Sequence, residues 1–121
     1  EVFTNLIANA LDAMPDGGTL TIASRHVPVL EKVVTEIGDT GKGIAAENLG
    51  KLFEPFFTTK QRGEGTGLGL FMSHEIVRRH GGNLRVISTP ASEDRHGTTM
   101  FAVELPIAGT ETETPGYGQE A

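Results

Sequence analysis

Asp39-Thr40-Gly41-Lys42-Gly43-Ile44 directly follows a strand-like run at residues 32–38. Gly41 and Gly43 permit positive φ and close backbone approach, so a strand here enters a turn that another group can come near. Three uses fit those residues. Asp39, at the strand end, can accept a hydrogen bond from the exocyclic amine of adenine, where guanine would present a carbonyl. The same stretch also suits a plain Asp-Gly turn. Gly41-x-Gly43-x-x-Ala46 matches a relaxed dinucleotide fingerprint as well. Against that third use, the preceding run is short and hairpin-like, and no crossover of normal length follows.

Upstream, residues 19–26 alternate as a strand with Leu20 and Ile22 on one face, and a Pro28-containing connection makes the pair an antiparallel hairpin. Residues 1–14 read as a helix, because Val2, Phe3, Leu6, Ile7, Ala10, Leu11 and Met14 cover one broad arc. Glu1, Asn5, Asn9 and Asp12 fall together on another arc, and Pro15-Asp16-Gly17-Gly18 stops the helix. Downstream, residues 45–50 read as a short helix. Residues 51–66 have no clean period and read as a loop anchored by Phe53, Phe56 and Phe57; long loops of this kind tend to be lids. Residues 58–66 hold Lys60, Arg62, Gly63 and Gly65 and no apolar side chain, which predicts a mobile segment. Residues 67–80 form a helix ended by Gly81-Gly82, and residues 83–89 and 98–106 form two more strands. Residues 108–121 carry Glu111, Glu113, Pro115 and Glu120 with almost nothing apolar, as in a disordered acidic tail. The expected fold is α/β, a two-layer sandwich with a mixed, mostly antiparallel sheet.

The chain has 121 residues, enough for one domain, with 37% hydrophobic and 21% charged residues. Its formal net charge of −6, without a basic cluster, argues against nucleic acid or an anionic membrane as partner. Cysteine is absent, which excludes disulfides and thiolate metal sites. No apolar run approaches the roughly 18 residues that span a bilayer. Glu1 already lies inside an amphipathic pattern with no preceding Met, so the chain reads as a piece of a longer one.

Asn5 and Asn9, at i and i+4, place two amide oxygens on one helix face. They suit either a solvated polar face or a Mg²⁺ site, since Mg²⁺ takes hard oxygen ligands and usually only one or two protein groups beside substrate phosphates. Asp12 is either an outer acceptor or simply exposed. Gly65-Thr66-Gly67-Leu68-Gly69 opens the helix at 67–80, where backbone N–H groups attract phosphate oxygens. It is not a Walker loop, as no Gly-Lys-Ser/Thr follows. Lys60 lies within reach of a phosphate, whereas Arg62 reads as a solvated cation. His26, His80 and His96 show no ligand spacing, and His74 reads as an ordinary helix residue.

Taken together, these motifs resemble the catalytic ATP-binding domain of sensor histidine kinases. That domain belongs to the Bergerat-fold superfamily, with gyrase-type topoisomerases, mismatch-repair ATPases and ninety-kilodalton heat-shock chaperones. Glu1-x-x-x-Asn5-Leu6-x-x-Asn9-Ala10 resembles the N box, and Asp39-x-Gly41-x-Gly43-Ile44 the first glycine box. Leu52-Phe53-Glu54-Pro55-Phe56-Phe57-Thr58-Thr59-Lys60 resembles the F box, in the spelling of the nitrogen-regulation and oxygen-sensing branch. Gly65-Thr66-Gly67-Leu68-Gly69-Leu70 resembles the second glycine box. Gly97-Thr98-Thr99-x-Phe101, ending at Leu105-Pro106, is similar to the last strand, whose Thr supports the adenine carboxylate.

The resemblance implies a partial, N-terminally truncated catalytic domain over residues 1–107, with residues 108–121 as its tail. It implies ATP and Mg²⁺ as cofactors. Asn9 and Asn5 would be the metal ligands, and Asn5, Asn9 and Lys60 the catalytic set. Asp39, Gly41, Gly43, Ile44, Phe53, Lys60, Gly65, Thr66, Gly67, Leu68, Gly69 and Thr99 would hold the nucleotide. The γ-phosphate would pass to a His on a separate dimerisation domain, with a response regulator downstream, in a cytoplasmic reaction and without membrane insertion of this piece. Gyrase-type and chaperone members place a Glu where Asn5 stands, so Asn5 favours phosphoryl transfer over rapid hydrolysis. A hydrolytic ATPase, a serine-directed switch kinase and an inactive nucleotide-binding module are the alternatives. Asp12 stands where many members carry a basic residue, so phosphate charge falls to Mg²⁺, Lys60 and backbone.

Overall fold

A computed structural model describes residues 1–58 and 67–107. The first helix, α1, spans Val2–Asp12, and the first hairpin joins β1 (Leu20–Val27) to β2 (Lys32–Asp39) through a single 3₁₀ turn at Pro28–Leu30. A one-turn helix α2 (Ala46–Leu49) follows the glycine turn. Helix α3 (Gly69–Arg79) precedes the second hairpin, β3 (Asn83–Thr89) and β4 (Thr98–Pro106). The sheet runs β1-β2-β4-β3, so the two hairpins join through β2 and β4. The expected mixed sheet is antiparallel at every described pairing. The expectations for residues 59–66 and 108–121 lie outside the described residues.

Strand alternation gives the sheet two faces. One carries Ile37 beside Phe101, and Val103 beside Leu84, all buried under the helices. Helix α1 packs on β2, and α3 packs on β3 and β4. The core centres on Leu6, Ile37, Val77, Leu84, Phe101 and Val103. Leu6 is wholly buried, and each such side chain contributes about 1.5–3 kcal/mol by leaving water. Ile22 shares that face by register yet is 55% exposed, because β1 is the edge strand beyond the helices.

The other face is covered by charge. Lys32 and Arg85 both reach the Glu104 carboxylate, at 2.8 and 2.7 Å, and Arg25 pairs with Glu36 at 3.2 Å. Register sets Val34 beside Arg25 and Glu104, and both Val34 and Ala102 are buried on this outer face. The long stems of such side chains shield apolar atoms while their heads stay wet.

Helix α3 stops where Gly81 takes a φ of +79°. Gly82 N–H then bonds the Val77 carbonyl and Gly81 N–H that of Arg78, the reciprocal pair that satisfies a helix's last carbonyls. The glycine turn after β2 is wedged between two distant segments. A Cβ on Gly41 would collide with the Ala13 carbonyl at the end of α1, and one on Gly43 with the Thr89 carbonyl. Backbone bonds tie the same turn in place: Lys42 N–H to Ala13 O at 3.2 Å, Ala91 N–H to Lys42 O at 2.8 Å and Gly97 N–H to Gly41 O at 2.9 Å.

Candidate nucleotide site

A cavity of about 1000 Å³ opens between α1, the glycine turn, α2 and the N-terminus of α3. That is the upper end of the range seen for small-molecule sites. Its lining brings together Asn5 and Asn9 from α1, Asp39 from β2, Gly43 and Ile44 from the turn, Gly67 and Gly69 at the start of α3, and Thr99 from β4. Ile44, Leu52, Phe57, Leu70 and Phe101 supply apolar walls. A smaller cleft of about 200 Å³ lies across the sheet, lined by Thr21, Gly38, Ile87 and Met100, and is too small for a nucleotide.

Asp39 and Thr99 pair across β2 and β4, and both are buried. Asp39 Oδ1 accepts from Gly41 N–H at 2.9 Å, which orients the carboxylate. Burial pushes the Asp39 carboxyl above its ordinary value, and the Gly41 bond only partly offsets this.

On α1, Asn5 Nδ2 donates to Ser73 Oγ on α3 at 3.2 Å. This bond commits one of the two Nδ2 hydrogens and restrains the amide plane. Asn9 lines the cavity one turn on, with Asp12 beyond it. No cluster of three His, Cys, Asp or Glu that could cage a metal occurs among the described residues. Asn5, Asn9 and Asp12 of α1 all bring side-chain oxygens to the lining, and hard oxygen donors beside ligand phosphates are what Mg²⁺ favours. The residues fit that ion.

The N-terminus of α3 faces the cavity through Gly67, Gly69 and Leu70. Gly67 O accepts from Phe56 N–H at 2.7 Å, which ties this entry to the aromatic segment. A Cβ on Gly69 would sit 3.9 Å from Asn5 Cγ, so α3 begins within van der Waals reach of the Asn5 side chain.

Several expected site residues stand elsewhere. Gly41 is buried behind the lining, where its N–H holds Asp39. Leu68 also falls outside the lining. Phe53 stacks on His74, with ring centroids 4.7 Å apart, and packs on the core; Leu52 and Phe57 line the cavity in its place. Lys60, Gly65 and Thr66 lie outside the described residues. His74 lies within α3, with its ring against Phe53.

Sequence reading passed over three residues. Lys42 is the one cation among the described lining residues, and Asn48 lines the cavity from α2. Ser88 accepts from Ile44 N–H at 2.8 Å and lies 2.7 Å from Thr99 Oγ1. Its signal was only positional, since hairpin register sets it opposite Thr99.

Residues 1–109 match the family described as histidine kinase-, DNA gyrase B-, and HSP90-like ATPase. The chain is 44% identical over 119 residues to sensor kinase CckA of Brucella abortus (strain 2308), covering 88% of this chain and 12% of that protein. It is 39% identical over 116 residues to sensor histidine kinase ZraS of Escherichia coli (strain K12), covering 96% of this chain and 23% of that protein. Among solved structures, the catalytic domain of histidine kinase ThkA superposes with a TM-score of 0.69 at 34% identity, covering 87% of this chain and 63% of that one. Full-length ShkA in complex with AMPPNP gives 0.72 at 25% identity, covering 87% of this chain and 20% of that one.

Proposed function

Because this chain belongs to the histidine kinase-, DNA gyrase B-, and HSP90-like ATPase family, we propose that it binds Mg·ATP and presents the γ-phosphate to a His on a separate domain. One observation carries this reading: Asn5, Asn9, Asp39, Thr99 and the start of α3, scattered in sequence, line one cavity of nucleotide size. The chain spans 12% and 23% of the length of the two sensor kinases named above, so acceptor and regulator belong to other parts of such a system.

In this reading Asp39 accepts from the adenine 6-amino group. Ile44, Leu52 and Phe101 enclose the base. Backbone N–H groups at the start of α3 meet phosphate oxygens, where the helix dipole favours anions. Asn9 and Asn5 would hold Mg²⁺ by their amide oxygens, with Ser73 restraining the Asn5 amide for that task. The ion supplies charge neutralisation at the phosphates. Lys42, in the lining, adds a positive charge. No residue need act as a base on water, and the Asn5 amide in the lining is not a base. Transfer is then positioning plus charge stabilisation. The domain comprises residues 1–107, and the reaction is cytoplasmic, where ATP is available. Among the described residues no helix is long and apolar enough to cross a membrane.

Calorimetric titration with ATP, with and without Mg²⁺, tests the binding half. Label from γ-³²P-ATP appearing on a His-bearing acceptor domain added in trans tests the transfer. Release of free phosphate alone would instead indicate a hydrolase, and no ATP binding would end the reading.

A further inference from the structure

Ser88 on β3 stands opposite Thr99 on β4. Three groups surround its hydroxyl. Ile44 N–H lies at 2.8 Å, the Thr98 carbonyl at 2.7 Å and Thr99 Oγ1 at 2.7 Å. A serine hydroxyl donates one hydrogen bond and accepts two. The Ile44 N–H can only donate, and the Thr98 carbonyl can only accept. The single Ser88 proton therefore goes to Thr98 O, and the Thr99 hydroxyl must donate to Ser88. Every position on Ser88 is then filled.

This fixes what Thr99 can offer the cavity it lines. Its one proton is spent on Ser88, so only lone pairs remain. Its register partner Asp39, when ionised, is also an acceptor alone.

We propose that Ser88 is a specificity-determining positioning residue: by taking the Thr99 proton it makes the Asp39–Thr99 end of the cavity an acceptor-only surface. Such a surface pairs with the 6-amino group of adenine, whereas the 6-oxo group of hypoxanthine or guanine sets lone pair against lone pair and leaves only the neighbouring N1–H to donate. Ser88 itself touches no ligand. Without it, the Thr99 hydroxyl is free to turn its proton toward a carbonyl, and the rejection of 6-oxo purines weakens. The same change strips Ile44 N–H of its acceptor, so overall affinity falls as well. The ratio between two bases is therefore the informative quantity. This inference rests on the nucleotide reading.

ADP and IDP, which share sugar and phosphates and differ at the 6-position and its adjoining N1 proton, are titrated into the full chain, its Ser88→Ala variant and its Ser88→Thr variant. The wild-type chain is expected to prefer ADP. In Ser88→Ala that preference falls by about tenfold, the scale of one hydrogen bond, while Ser88→Thr, which keeps a hydroxyl, retains it. ADP binding with an unmoved ADP/IDP ratio in Ser88→Ala overturns the inference and leaves the nucleotide reading standing. If Ser88→Ala does not fold, Thr99→Val decides. Loss of ADP affinity with IDP affinity unchanged supports the fixed acceptor, and equal loss of both overturns it. Failure of the wild-type chain to bind either nucleotide overturns both readings.

Discussion

Asn5 on α1 and Ser73 on α3, 68 residues apart, are joined by a 3.2 Å hydrogen bond from amide to hydroxyl. Ser73 is fully buried and Asn5 half-buried. A candidate metal ligand is thus also a fastening between two helices. Ser73→Ala is expected to destabilise the chain by about 1 kcal/mol, the worth of one such bond. It should also blunt the Mg²⁺ dependence of ATP binding, because the Asn5 amide is free to turn. Urea unfolding and paired titrations with and without Mg²⁺ check this; normal Mg²⁺ dependence would reduce Ser73 to a packing residue.

Asn9→Ala separates the two roles that α1 combines. Among the described residues Asn9 makes no comparable bridge to α3, and Ala is the better helix former, so stability should hold within about 0.5 kcal/mol. The Mg²⁺ dependence of ATP binding should vanish. An unfolded variant, or one that needs Mg²⁺ as before, would make Asn9 structural.

Asp39→Asn is expected to cost about 1–3 kcal/mol or more of ADP affinity, since the amide can place a donor against the adenine amine. The empty protein should not be weakened. Burial penalises the charged carboxylate, so its removal costs the fold nothing at neutral pH. Calorimetry and thermal melts on one sample read both effects, and unchanged ADP binding would sink the assignment.

The raised Asp39 carboxyl sets the sign of a pH effect. In the empty chain the protonated form suits the fold better, so this group's stabilisation is present at low pH and is lost as pH rises through its folded value. Nucleotide binding runs the other way, because it needs the ionised acceptor. ADP affinity should therefore fall on acidification, beginning above the ordinary Asp value of 3.8. In Asp39→Asn that limb should be absent. An identical limb in both proteins would assign it to another group.

Glu104 makes the opposite prediction on the outer face. The hydrogen bond from Lys32, with Arg85 adding to it, holds its carboxyl below the ordinary value of 4.5 despite the opposing effect of burial. That stabilisation is present above the ordinary value and is lost as pH falls through the lowered one. Glu104→Gln should cost about 1 kcal/mol at pH 7, the upper end for partly exposed pairs. Urea midpoints for the variant and the wild-type chain should converge in acid, and parallel curves at all pH values would refute the pairing.

Element types and the two hairpins were readable from period and punctuation, because alternation, Pro15 and the Gly81-Gly82 stop act locally. The strands at 83–89 and 98–106 agree residue for residue with β3 and β4. Pairing of β2 with β4 was not readable, since it joins elements far apart in the chain. Phe53 shows a related limit. An aromatic in a binding-type loop reads as a ligand contact, yet its stack on His74 depends on where α3 packs. Ser88 was invisible for a subtler reason: a strand serine is unremarkable until the Ile44 N–H arrives from another segment.

The wedged glycine turn has a consequence for how the chain comes together. Residues 41–43 are pinned at once by Ala13, Thr89, Ala91 and Gly97, so the floor of the cavity exists only when both ends of the chain have met. A half-assembled chain has no such floor to offer. Any ligand of the cavity would then act as a reporter of completed folding, and would lift the unfolding free energy of the whole unit by RT ln(1 + [L]/Kd) rather than stiffen one loop.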